Sequence, residues 1–229
     1  MSFASKIEAV DDLSCSAGKL EAILNTGRDD APYTALVAHP HPLGGGTMHN
    51  KVVYHAMKAF NHFGLPVLRF NFRGTGLSEG SHDHGIGEQE DVRCGLDWLT
   101  ARFGKPVLFA GFSFGSNVGM RVCCNDDRVP ALVALGLPIE AEGRVYQYDF
   151  LSACVKPRLF LSGDHDPFGP VAEVEKVIAP LPEPKQMIWI PGGDHFFAAT
   201  PDSPGSKLEQ MREAMIHWLA GNVPGLEPA

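Results

Sequence analysis

Ser113 stands at the centre of Gly111-Phe112-Ser113-Phe114-Gly115, after the apolar run Pro106-Val107-Leu108-Phe109-Ala110 and before a segment of helical character over 116–124. A serine hydroxyl is a weak nucleophile until a neighbouring base takes its proton and an acid orients that base. The chemistry open to such a serine is acyl transfer: attack on a carbonyl carbon, with backbone N–H groups holding the charge that develops on the carbonyl oxygen. Glycines two residues before and two after the serine permit a turn too tight for side chains at those places. Such a turn lifts the hydroxyl above the end of the strand. Three other clusters carry groups for the same chemistry. Gly163-Asp164-His165-Asp166-Pro167 offers two alternating carboxylates. Pro191-Gly192-Gly193-Asp194-His195-Phe196-Phe197 offers an imidazole in a glycine-rich loop. His39-Pro40-His41-Pro42-Leu43-Gly44-Gly45-Gly46-Thr47 offers a loop whose prolines lack N–H and fix its path.

The elements that must position these clusters alternate along the chain. Residues 6–10 and 19–25 flank a turn-rich stretch and read as an opening hairpin. Strands are predicted over 34–39, 65–70, 106–112, 131–137, 158–162 and 186–190. Helices are predicted over 51–63, 88–103, 116–124, 171–178 and 207–220, the first from Val52, Val53, Ala56, Met57, Phe60 and Phe63 at helical spacing. Strands separated by helices predict a mostly parallel sheet, about eight strands in all, with helices on both faces. The whole of 1–229 reads as one domain. The gap of about twenty residues between Leu137 and Arg158 leaves room for a helix but not for a cap domain, so the site is expected to lie open there.

A buried strand, a glycine-bounded turn carrying a serine, and a helix resemble the nucleophile elbow of the α/β-hydrolases. The likeness extends over nearly the whole chain. It takes in Arg69-Phe70-Asn71-Phe72-Arg73-Gly74-Thr75-Gly76-Leu77-Ser78, which is similar to that family's strand and Arg-Gly-x-Gly-x-Ser turn. The His-Pro-His-Pro and triple-glycine loop resembles small capless bacterial hydrolases related to dienelactone hydrolases. The latter use cysteine where this chain has Ser113, so lactone specificity does not follow. The resemblance implies an α/β-hydrolase fold and the chain order serine, acid, histidine. Of ten histidines His165, His195 and His217 follow Asp164; His217 falls within the closing helix, and only His195 lies in the loop after the last strand. His195 is therefore the candidate base. Asp166, further out from Gly163, is favoured as the acid over Asp164, which is expected to tie the turn through backbone N–H groups. Phe114 N–H is the expected first oxyanion donor and His41 N–H the second, with Leu43 as the alternative to His41. Leu43, Met48, Phe196 and Phe197 are expected to line the acyl pocket, whereas Phe112 reads as core.

Composition narrows the function classes. The net charge of −8 disfavours nucleic acid as a partner, and no run approaches the length of a membrane span. Five cysteines without C-x-x-C spacing, and a beginning without a leader pattern, fit a reducing cytoplasm. His82 and His84 form the best pair for a metal, but no matching carboxylates or cysteines accompany them, so no metal or other cofactor is expected. The expectation is a cytoplasmic serine carboxylesterase acting on small ester molecules. Thioester or peptide hydrolysis is the alternative within catalysis, and a non-catalytic binding protein the alternative outside it. The oligomeric state is not encoded in any pattern visible here.

Overall fold

Buried, largely apolar runs of four to six residues form central strands of the main sheet. A computed structural model describes residues 5–141, 143–200, 203 and 205–229. The beginning of the chain, on which the leader reading rests, thus falls mostly outside the described residues. The main sheet contains β1 (Ile7–Val10), β2 (Ala22–Asn25), β3 (Thr34–Ala38), β4 (Val67–Phe70), β5 (Val107–Phe112), β6 (Leu132–Leu135), β7 (Arg158–Gly163) and β8 (Lys185–Ile190). Among the described residues five α-helices accompany them: α1 (Lys51–Asn61), α2 (Gly87–Phe103), α3 (Phe114–Cys123), α4 (Val171–Ile178) and α5 (Lys207–Asn222).

The spatial order is β1-β2-β4-β3-β5-β6-β7-β8. The first two pairings, β1 with β2 and β2 with β4, are antiparallel, and the other five are parallel. This is the mostly parallel sheet of eight strands that was expected, with the opening hairpin. The hairpin's turn carries an additional short ribbon, Ser14–Cys15 against Gly18–Lys19.

Alternation along the strands divides the core. Phe109 of β5 faces a cluster with Val92 and Leu96 of α2, Met120 of α3 and Val174 of α4. Its neighbours Leu108 and Ala110 face the opposite cluster, with Val53 and Phe60 of α1 and Met215 and Trp218 of α5. The strand period of two thus feeds both faces, as a sheet covered on two sides requires. Cys123, Cys124 and Cys154 are buried free thiols within the first of these clusters.

Register brings the chemistry to one edge. Ala38 lies opposite Gly111, Phe112 opposite Leu135, Leu135 opposite Leu161, and Gly163 opposite Ile190. The loops leaving β3, β5, β7 and β8 therefore emerge together at the carboxyl end of the sheet. The 138–157 segment follows β6 at the same edge. It forms a two-stranded ribbon, Glu140–Ala141 against Arg144–Val145, and a short 3-10 turn, Asp149–Ala153. That is less regular structure than the helix for which the sequence left room.

Candidate active site

Ser113 occupies the first corner of the site because β5 stops at Phe112 and α3 starts at Phe114. One residue must turn the chain, and Ser113 does so at φ 53° and ψ −120°, a conformation costly for a residue with a side chain. The flanking glycines are sterically required. A Cβ on Gly111 would lie 2.4 Å from the Gly115 carbonyl oxygen, and one on Gly115 would lie 2.4 Å from the His39 carbonyl oxygen. Ser116 secures the turn by donating its hydroxyl and its backbone N–H to the Ser113 carbonyl, at 2.6 and 2.9 Å.

His195 reaches this serine from the loop after β8. Its Nε2 is 2.9 Å from Ser113 Oγ, and its Nδ1 is 2.7 Å from Asp166 Oδ2. The other carboxylate oxygen of Asp166 accepts from the N–H groups of Phe168 and Gly169, at 2.8 and 3.3 Å. Backbone N–H donors on one side and an imidazole on the other hold this carboxylate in a single orientation. With Asp166 accepting at Nδ1, the proton of a neutral His195 sits there, and the Nε2 lone pair faces the serine. Ser113, His195 and Asp166 are only 6%, 4% and 3% exposed, so the chain of hydrogen bonds is shielded from bulk water. Aromatic rings steady the imidazole: Phe112 and Phe168 have centroids 5.0 and 4.8 Å from it.

Asp164 has a different role. Its Oδ1 accepts from Gly192 N–H at 2.6 Å and lies 2.7 Å from His165 Nδ1, so it joins the loops after β7 and β8. Partial burial pushes its carboxyl up, but the hydrogen bonds from His165 and Gly192 outweigh this and hold it below the usual carboxylate value. Asp194 is engaged within its own turn, accepting from Phe196 and Ala198 N–H groups.

The loop after β3 forms the facing wall. Gly44 and Gly46 donate their N–H groups to the His41 carbonyl, and Leu43 N–H donates to His41 Nδ1 at 3.2 Å. The Leu43 amide is thus turned toward the His41 ring. Phe114 is the first residue of α3, where a backbone N–H has no acceptor inside the helix. His39 ties the base of this loop to the next strand. Its Nδ1 lies 2.7 Å from the Pro40 carbonyl, and its Nε2 accepts from Phe72 N–H at 2.9 Å. Burial pushes this imidazole down to about 4, so it is neutral at physiological pH.

Together these walls enclose a cleft of about 290 Å³ over Ser113 and His195. Of the four residues expected to line an acyl pocket, only Phe196 does so, at the rim and half exposed. Leu43 is 72% exposed and does not line the cleft. Met48 is buried beneath the loop, its backbone fixed by Asn71 and Arg69. Phe197 adopts φ 55° and turns into the core beside α5, opposite in direction to Phe196. The lining that sequence reasoning missed comprises Asn50, Ala141, Tyr146 and Phe168. Phe168 was within reach of inference, since it follows Asp166 by two residues. Tyr146 and Ala141 belong to the 138–157 segment, which therefore walls the site on the side where an open mouth was expected. His82, one of the histidines considered for a metal, lies 2.7 Å from buried Glu88. Among the described residues no three His, Cys, Asp or Glu side chains converge as a metal-binding group.

With this geometry in place, comparison with known proteins defines the class. The family model for the alpha/beta hydrolase domain matches residues 33–220. The chain belongs to the α/β-hydrolase family. It is 38% identical over 192 residues to an uncharacterised protein of Rickettsia prowazekii, covering 81% of this chain and 77% of that one. Its fold is similar to an α/β serine hydrolase without lid from Xanthomonas campestris, with 30% identity and a TM-score of 0.81 over 99% of both chains. A serine hydrolase homologue from Coxiella burnetii is similar at 29% identity and a TM-score of 0.76, over 95% of this chain and 97% of that one.

Proposed function

We propose that this protein is a serine hydrolase that cleaves carboxylic esters with short acyl groups through an acyl-enzyme intermediate. The observation that carries this reading is the hydrogen-bonded chain Ser113–His195–Asp166, at 2.9 and 2.7 Å, ending on a strained serine at the floor of a cleft. Ser113 Oγ attacks the ester carbonyl carbon as His195 Nε2 takes the hydroxyl proton. Asp166 stabilises the imidazolium that results. The Phe114 and His41 N–H groups hold the oxyanion of the tetrahedral intermediate. Collapse of that intermediate breaks the C–O bond, and His195 passes its proton to the departing alcohol. A water molecule then enters, gives a proton to His195 and attacks the acyl carbon. Collapse of the second intermediate releases the acid and returns the proton to Ser113.

The preference for short acyl groups rests on the size of the cleft and on the brevity of the 138–157 segment. Each further buried CH₂ would add about 0.8 kcal/mol to transition-state binding, but only where a wall exists to cover it. The reading includes a single domain over 1–229, a cytoplasmic setting, small esters as partners and no cofactor. A panel of para-nitrophenyl esters of rising chain length tests it. The expected kcat/KM peaks between acetate and hexanoate. A maximum at dodecanoate, or activation at an oil–water interface, contradicts it.

A further inference from the structure

Tyr146 lines both the Ser113 cleft and a second cavity of about 250 Å³. Phe114, the residue after the proposed nucleophile, forms another part of the second wall. Two guanidinium groups border this cavity: Arg121 from α3 and Arg144 from the ribbon that follows β6. Gln89, Asn117 and Gln147 add neutral polar groups, and among the described residues no Asp or Glu lines it.

The two arginines differ from others in the chain. Arg28, Arg73, Arg128 and Arg212 each pair with a carboxylate. Among the described residues, Arg121 and Arg144 are instead anchored by neutral acceptors. Arg121 donates from Nη2 to the Gln147 carbonyl at 2.7 Å and lies 4.4 Å from the Phe150 ring centre. Arg144 donates from Nη2 to the His84 carbonyl at 2.7 Å, with its guanidinium 5.7 Å from the Phe114 ring centre and 5.9 Å from that of Tyr146. A guanidinium has five N–H donors, so such anchoring fixes its position and leaves donors for a ligand. Two half-buried positive charges with no facing carboxylate among the described residues, in a protein of net charge −8, form a local site for an anion. Planar paired donors suit a carboxylate.

We infer that this cavity is an anion subsite and that the preferred substrates are carboxylic esters bearing a second carboxylate. The inference rests on the reading of Ser113 as nucleophile, since it joins the subsite to the cleft above that serine. The second carboxylate could belong to the acyl part or to the alcohol, so two matched pairs of esters are needed. Mono-para-nitrophenyl adipate against para-nitrophenyl hexanoate places the charge on the acyl side. Para-(carboxymethyl)phenyl hexanoate against para-methylphenyl hexanoate places it on the alcohol side. In at least one pair the charged ester is favoured by about tenfold in kcat/KM, the scale of one charge-assisted hydrogen bond, mainly through KM. Arg144→Gln and Arg121→Gln each lower that charged-to-neutral ratio, Arg144→Lys restores part of it, and added salt weakens it. A preference for the neutral ester in both pairs, or a ratio that neither glutamine variant alters, overturns the inference. Calorimetric titration of Ser113→Ala protein with adipate separates the two readings. If wild type turns over no ester, the esterase proposal fails, yet adipate binding that weakens in the Arg144→Gln background still upholds the subsite, and equal binding removes it.

Discussion

Asp166 and Asp164 are two residues apart, yet one faces His195 and the other ties two loops through Gly192. Their substitution by asparagine therefore has different consequences. Asp166→Asn keeps the shape but favours the wrong imidazole tautomer, a change that costs about 10⁴-fold in a comparable triad. Asp164→Asn weakens the loop junction and lowers stability more than turnover. Steady-state kinetics and thermal melts of both variants check this, and the opposite ranking would move the acid to Asp164. Residue types and chain order made the hydrogen-bonded Ser113, His195 and Asp166 legible in the sequence as candidates, because the proposed nucleophile, base and acid have to occur in loops at one sheet edge. The pocket lining was less legible. Met48, Phe196 and Phe197 share apolar character, but the direction of each side chain is set by local backbone. The positive φ of Phe197 sends its ring inward while Phe196 stays at the rim, and no composition signal carries that difference.

At the scale of elements, the strand–turn–helix around Ser113 is tightly constrained. A Cβ on Gly111 would meet backbone atoms of Gly115 and Ser116, which cannot give way as a flexible side chain can. Gly111→Ala is expected to cost about 1–3 kcal/mol of stability, the usual range for overpacking. It should also displace the serine from His195. Urea unfolding checks the first effect and ester turnover the second; unchanged values for both would mean that the elbow is more tolerant than its geometry indicates. Strands and helices of this sheet were readable because period-two and period-3.6 patterns are local. The ribbon and 3-10 turn of the 138–157 segment were not, because two-residue strands leave too short a pattern. Their placement decides that Tyr146 and Ala141 wall the cleft.

At the scale of the whole molecule, the buried imidazole of His39 couples the loop after β3 to folding. Its folded value is about 4, below the ordinary 6.5, because burial disfavours the charged form. The unfolded chain thus binds the proton more readily over that interval. The stabilising contribution is complete above about pH 6.5 and is lost as the pH falls toward 4. Melting temperature should decline over this window, and His39→Gln should flatten that decline; an equal slope in the variant would assign the acid sensitivity to other groups. Among the described residues no helix is long and apolar enough to cross a membrane. The central claim is that the molecule exists to present Ser113 as a nucleophile activated by His195. Reaction with a fluorophosphonate followed by peptide mass spectrometry tests it most directly. The account predicts one adduct, on Ser113, formed on the order of 10⁴-fold more slowly in His195→Ala protein and absent in Ser113→Ala. No adduct on Ser113, or an equal rate without His195, would contradict it.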